Sequence, residues 1–342
     1  MTDAAIDCRN LWKIFGDREK EALSAAHKGA GKAEILEGYG CVVGVADVSF
    51  TVRPGEIFCV MGLSGSGKST MVRHLNRLIE PTAGEIFIGG RDVNSLDATE
   101  LRALRSGKIG MVFQNMALLP HRTVIDNVAL PLELRGIDAR KRHAAAEEKL
   151  GLVDLTGWGH RYPDELSGGM KQRVGLARAM AADPDILLMD EPFSALDPLI
   201  RRQLQDQFIE LAKVLKKTTV FITHDLDEAI RLGDHIAIMK DGRVVQIGTP
   251  EDIVTAPADG YVADFVAGVS RLSLVTAARI MQPINGSGGD LSAAPRVAPT
   301  ATLDALVDIA CDIDGPIVVA DGGGPLGCIS KRNLLKGIQG RA

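Results

Sequence analysis

The chain has 342 residues, of which 46% are hydrophobic and 24% charged, with a net charge of −5. That length fits a large domain plus a smaller one with a sizeable core, and the near balance of charge, without a block of one sign, argues against a nucleic-acid partner. The longest apolar runs, such as residues 186–189 and 317–320, fall far below the roughly 20 residues of a membrane helix, which excludes a spanning segment, and the start MTDAAIDCRN lacks the basic and apolar regions of an export signal.

Residues 5–15 (AIDCRNLWKIF) and 44–52 (GVADVSFTV) alternate in hydrophobicity and predict antiparallel strands. Residues 17–41 between them are polar, Ala-rich and Gly-interrupted, which predicts one or two short helices inserted in a hairpin. Pro54-Gly55 makes a turn into a buried strand at 56–61. Met71, Val72, Leu75, Leu78 and Ile79 recur at helical spacing. A helical region over about 115–182 follows, then buried strands at 186–189 and 219–223, and a hairpin at HIAIMK-DG-RVVQIG. Strands alternating with helices predict a parallel sheet covered on both faces. Residues 283–299 turn to Gly, Ser, Ala and Pro and read as a loop inside a second module, with a helix at 302–311, strands at 316–320 and 326–330, and a last helix at 331–338. Cys8, Cys41, Cys59, Cys311 and Cys328 are odd in number and outside CxxC spacing, so they read as thiols in a reducing compartment.

Two segments carry chemistry directly. In GLSGSGKST at 62–70, Gly62, Ser64, Gly65, Ser66 and Gly67 form a loop whose backbone N–H groups can turn inward around phosphates, and Lys68, Ser69 and Thr70 open the following helix. Lys68 would contact the β- and γ-phosphates, and Ser69 would offer its hydroxyl to Mg²⁺. In ILLMDEP at 186–192 an apolar strand ends in two carboxylates, where open α/β sheets bind ligands. Asp190 falls near the Mg²⁺, and Glu191 where it can orient or deprotonate an attacking water.

With LSGGMKQR at 166–173, VFQNMALLP at 112–120, SALD at 194–197 and VFITHD at 220–225, the chain resembles the ATP-binding cassette family over roughly residues 5–255. That resemblance implies a P-loop α/β fold, a mixed sheet with a helical subdomain, binding ATP and Mg²⁺. It implies that Gln114 senses the metal and the membrane partner, that Ser167, Gly168 and Gly169 hold the γ-phosphate bound by an opposite subunit, and that Asp197 belongs to the dimer-contact loop. By the same resemblance His224 is the switch histidine on the γ-phosphate, and Phe15 stacks on adenine. Met170 stands where glutamine is usual, at a position that does not hold phosphate.

Within the family, the end of the insertion (ILEGYGCVVGV) and the long stretches at 57–86 and 166–201 resemble the subunits that power import of glycine betaine, proline and choline. The implied assembly is a homodimer beneath permease subunits, peripheral on the cytoplasmic face of the plasma membrane. A separate extracytoplasmic binding protein would choose the substrate. Residues 276–284 and 316–338 resemble a single cystathionine β-synthase type repeat, an α+β module whose last motif matches Gly327, Ser330 and Asn333 and which in its family holds an adenosine nucleotide. The expected division is therefore a cassette over 1–270 and this repeat over 271–342. Alternatives of other kinds are an importer of a different osmolyte or polar amino acid, a nucleotide-sensing module, and a cassette ATPase that never meets a membrane.

Overall fold

The structure is a computed structural model that describes residues 4–114, 117–194, 196–284 and 294–340. It divides into two compact units, Met1–Ile247 and Gly248–Ala342. The expected boundary at residue 270 lies inside the second of these.

The first unit opens with β1 (Ile6–Phe15), the inserted helices α1 (Glu19–His27) and α2 (Lys32–Tyr39), and β2 (Val42–Val52). Strand β1 pairs with β2 antiparallel, Ile6 opposite Val52 and Phe15 opposite Val42, so the insertion is a pair of helices at the tip of a hairpin. Next come β3 (Ile57–Met61), α3 (Lys68–Leu75), β4 (Ala83–Ile88), β5 (Arg91–Asp92), α4 (Ala98–Gly107) and β6 (Ile109–Val112). Helix α3 stops one turn short of the predicted Ile79. Arg77 adopts a left-handed φ of 52°, and the Arg105 guanidinium donates to the carbonyls of Asn76 and Arg77 at 2.8 and 2.6 Å, satisfying two acceptors that a continued helix would have used itself. Helix α4 is capped by Asp97, whose carboxylate accepts from the N–H groups of Glu100 and Thr99; these bonds hold that carboxyl below its ordinary range and satisfy two of the helix's free donors.

Helices α5 (Val124–Leu134), α6 (Ala139–Leu152) and α7 (Gly168–Met180) make up the predicted helical region. The alternation then resumes with β7 (Ile186–Asp190), α8 (Pro198–Leu215), β8 (Thr218–Ile222), α9 (Leu226–Leu232), β9 (His235–Lys240) and β10 (Arg243–Gly248).

Two sheets result. One is four-stranded, in the order β2-β1-β4-β5; the other is six-stranded, in the order β10-β9-β3-β8-β7-β6. In the second, β6, β7, β8, β3 and β9 run parallel. Every residue of β7 and of β8 is buried, as a parallel sheet covered on both faces requires. Ile6, Val45, Phe50, Phe58, Val60, Leu75, Leu188 and Ile222 belong to one core cluster with Phe50 stacked on Phe58 at 5.1 Å. The antiparallel sheet therefore closes over the side of the parallel sheet that carries α3. This fixes the height of the loop between β3 and α3 against the ends of β7 and β8.

The second unit holds α10 (Pro250–Thr255), α11 (Gly260–Val266), α12 (Ala277–Ile280), β11 (Arg296–Val297), α13 (Leu303–Asp312), β12 (Ile317–Asp321), β13 (Gly324–Ile329) and α14 (Lys331–Gln339). Its three-stranded sheet has the order β11-β12-β13, and Val275, Leu303, Leu306, Ile317, Val319 and Leu334 are among its core. The predicted loop at 283–299 is interrupted by β11, which pairs parallel with β12; residues 285–293 of that prediction lie outside the described residues. No helix among the described residues is long and apolar enough to cross a membrane.

Candidate functional site

The loop between β3 and α3 takes its shape from two glycines. Gly62 has φ +149°, and a Cβ there would stand 2.2 Å from the Met239 carbonyl; Gly67 has φ +100°, and its Cβ would stand 2.4 Å from the Gly44 carbonyl. Any side chain at either place meets backbone that cannot give way. The Gly67 conformation starts α3, whose first N–H groups and Lys68 then face the same cavity, of about 940 Å³.

Lys68 is 6% exposed, and its ammonium donates to the carbonyls of Gly62 and Leu63 at 2.8 and 3.1 Å. Burial lowers its pKa, opposed by the carboxylates of Glu191 and Asp190. Ser69 Oγ donates to Asp190 Oδ1 at 2.7 Å. The second Asp190 oxygen takes a bond of 3.1 Å from Arg73, one helical turn beyond Ser69. Arg73 was missed in reading the sequence, although its i,i+4 spacing from Ser69 was a usable signal.

Glu191 adopts a left-handed φ of 47°, unusual for a side chain of this size. The turn carries its carboxylate off the end of β7, where a single oxygen, Oε2, meets two partners from other segments. Gln114 Nε2 donates to it at 3.3 Å, and His224 Nδ1 lies 3.2 Å away. His224 follows β8 directly, and Gln114 follows β6, so three neighbouring parallel strands each deliver one residue to this point.

Phe15, Ser64, Gly65, Thr70, Gln114, Glu191 and His224 line the same cavity as Gly62, Gly67, Lys68 and Ser69. Ser66 is buried, and its hydroxyl has no partner among the described residues. The remaining expected site residues lie elsewhere: Ser167, Gly168, Gly169 and Asp197 do not line the cavity. Ser167 instead caps α7, its hydroxyl accepting from the Met170 N–H at 3.3 Å, so residue 170 is engaged there through backbone. Asp197 caps α8 by accepting from the Ile200 N–H. Four further cavity residues, Lys32, Ala33, Leu36 and Cys41, come from the insertion; nothing in that polar, Gly-broken segment had pointed to them.

The donors present suit a nucleoside triphosphate with a hard cation. Glycines bare the loop backbone, an ammonium stands at its centre, and the oxygens of Ser69 and Asp190 lie together, as Mg²⁺ prefers. No cluster of three or more His, Cys, Asp or Glu able to hold a metal exists among the described residues. A cation here would draw the rest of its oxygens from phosphate and water, the usual arrangement for Mg²⁺.

A phosphate loop, a strand-end acid pair and a strand-end histidine on one carboxylate define a P-loop ATPase of the cassette type. The family model for ABC transporters matches residues 45–194. The glycine betaine transport ATP-binding protein OpuAA of Bacillus subtilis is 54% identical over 295 residues, 86% of this chain and 70% of that protein. The trimethylamine N-oxide transport system ATP-binding protein TmoW of Ruegeria pomeroyi is 48% identical over 337 residues, 98% of this chain and 97% of its own length. Among solved structures, the ATP-binding cassette MJ0796, a dimer in a post-hydrolysis state bound to ADP and Pi, matches 72% of this chain and 98% of its own with a TM-score of 0.61 and 32% identity. The chain belongs to the ATP-binding subunits of ABC transporters, in the group that includes the glycine betaine transport subunits.

Proposed function

We propose that this subunit hydrolyses ATP to drive import of a quaternary amine, choline or glycine betaine, through a separate permease. The observation that carries the hydrolytic part is the meeting of Gln114 and His224 on Glu191 Oε2, beside the Lys68 ammonium. In the proposed reaction Lys68 and the loop N–H groups hold the β- and γ-phosphates, charge-assisted bonds that strengthen as charge builds on the leaving oxygen. Glu191 takes the proton of the attacking water, Gln114 fixes the orientation of its carboxylate, and His224 reports the γ-phosphate to the rest of the fold. Mg²⁺, held by Ser69, Gln114 and Asp190, would neutralise charge on the β- and γ-oxygens.

Two copies would complete two sites. Ser167, Gly168 and Gly169 sit outside the cavity of Lys68 at the N-terminus of α7, which suits them to the γ-phosphate held by a partner subunit; MJ0796 is a dimer. Phe15, 41% exposed at the cavity, would stack on adenine. The pair would work beneath the permease on the cytoplasmic face of the membrane, with an extracytoplasmic protein choosing the solute.

The second unit we read as a cystathionine β-synthase type repeat with a regulatory role. Ser330 caps α14 by accepting from the Asn333 N–H at 3.2 Å, and its hydroxyl donates to the Asn333 side-chain oxygen at 3.0 Å. Truncation after Ser270 that left osmotic control of transport unchanged would remove this reading.

Trimethylamine N-oxide is a second candidate solute, because the Ruegeria protein aligns with this chain almost end to end. Uptake of labelled choline, glycine betaine and trimethylamine N-oxide by cells with the wild-type chain, with Glu191→Gln and with no copy tests both readings. The proposal expects one of the first two to need the wild-type chain; dependence only for the third selects the second reading, and dependence for none overturns both.

A further inference from the structure

The insertion of residues 17–41 is built as a fixed part of the cassette rather than as a loop. Ala22, Ile35 and Cys41 share a small core with Trp12, Ile14 and Val43. Trp12 meets His27 edge-on at 5.2 Å, Thr82 Oγ1 donates to Glu19 at 3.1 Å, and the Arg18 guanidinium lies 5.0 Å from the Tyr39 ring centre. Helix α2 begins where Glu34 accepts from the Gly31 N–H at 3.0 Å and ends at a left-handed Gly40.

This fixed helix presents Lys32 and Leu36 to the phosphate-loop cavity. Leu36 is 53% exposed, and Val42 and Phe15, which line the same cavity, are 55% and 41% exposed. One exposed leucine needs no explanation, but Leu36, Val42 and Phe15, together with Leu63 of the phosphate loop, line one cavity as large exposed apolar side chains, which marks a surface kept for an apolar face. Lys32 lies close to the phosphate loop. Its Nζ is 3.4 Å from where a Cβ on Gly242 would stand, and Gly242 in turn abuts Gly67 and bonds Ser66. The ammonium is half-buried, facing the Asp241 carboxylate and repelled by Arg243. The cavity therefore brings together apolar side chains, a cationic donor and a phosphate cradle, the three chemistries that the base, sugar and phosphates of a nucleotide call for.

We propose that α2 completes the nucleoside subsite of the cassette, Leu36 packing on the base beside Phe15 and Val42, and Lys32 donating to the sugar hydroxyls. This rests on the reading of the cavity as an ATP site and assigns the insertion a role in affinity and nucleoside choice. Lys32 and Leu36 would contact the nucleoside itself, remote from the reacting phosphate.

The test is calorimetric titration of the full chain with ADP, 2′,3′-dideoxy-ADP and inorganic triphosphate. Leu36→Ser should weaken ADP about tenfold, the scale of losing one well-buried aliphatic contact, and leave inorganic triphosphate unchanged; Leu36→Met should keep ADP affinity. Lys32→Met should weaken ADP several-fold and dideoxy-ADP hardly at all. ADP affinity unaltered in folded Leu36→Ser overturns the assignment of α2, and equal losses for ADP and dideoxy-ADP in Lys32→Met overturn that of Lys32. Failure of the folded wild-type chain to bind ADP would instead sink the underlying ATPase reading. Circular dichroism establishes folding of each variant, and the exposure of Leu36 makes that outcome the expected one.

Discussion

Ser69 Oγ donates to Asp190 Oδ1 at 2.7 Å across 121 residues of sequence. The bond ties the first turn of α3 to the end of β7, so hydroxyl and carboxylate are presented as one ligand pair. Ser69→Ala should raise the Mg²⁺ concentration for half-maximal turnover by about tenfold, the loss of one charge-assisted bond, while ATP binding in EDTA persists. A Mg²⁺ titration of turnover checks this; an unmoved midpoint would remove Ser69 from the metal site.

Glu191→Gln keeps the size of the side chain and an oxygen for the Gln114 donor, but it loses the base. Turnover should fall by at least about 100-fold with nucleotide affinity retained, as read by phosphate release and by equilibrium binding on the same preparation.

Lys68→Ala removes the ammonium from the centre of the loop together with its two bonds to the Gly62 and Leu63 carbonyls. ATP affinity should fall by about 100-fold, with far-UV circular dichroism unchanged. Binding within a factor of two of wild type would overturn the cradle assignment.

His74 gives a pH dependence of stability. Its ring is fully buried, Nδ1 donates to the Thr70 carbonyl at 2.5 Å, and Nε2 has no partner among the described residues. Burial pushes its pKa down to about 4. The unfolded chain takes up this proton near the ordinary value of about 6.5, the folded chain only near 4, so protons favour unfolding between those values. Stability is complete above pH 6.5 and falls by up to about 3 kcal/mol as pH drops to 4. Urea denaturation of wild type and His74→Leu at pH 7 and pH 5 should show the flatter dependence in the variant.

What could be read from sequence follows what is local. The glycine loop, the acid pair after β7 and the histidine after β8 each belong to a few consecutive residues at a strand end, so their spacing announced them. The two inserted helices were also foreseen, because a hairpin interrupted by polar, Ala-rich sequence has few other choices. Long-range consequences were hidden. No pattern in residues 74–80 tells that Arg105, from α4, will take the carbonyls on which a longer α3 would depend. Likewise, nothing in the sequence of α2 tells that Ile35 turns inward while Leu36 reaches the phosphate-loop cavity, because both depend on how the hairpin folds back over it. Strands β4 to β6 escaped notice for two reasons: β5 has only two residues and β6 four, while β4 and β6 pair with β1 and β7, which are distant in sequence.

The placement of Ser167 and Gly168 away from the cavity of Lys68 has a kinetic meaning in the proposed assembly. Each chain carries two unlike halves of a site, so for free subunits productive encounter is second order, and turnover per molecule should climb with protein concentration. Mounting two chains on one permease pair replaces that search with a fixed local concentration, on the order of millimolar for short tethers. Idle subunits would then consume little ATP, and fuel use would follow the number of assembled transporters rather than the amount of this protein.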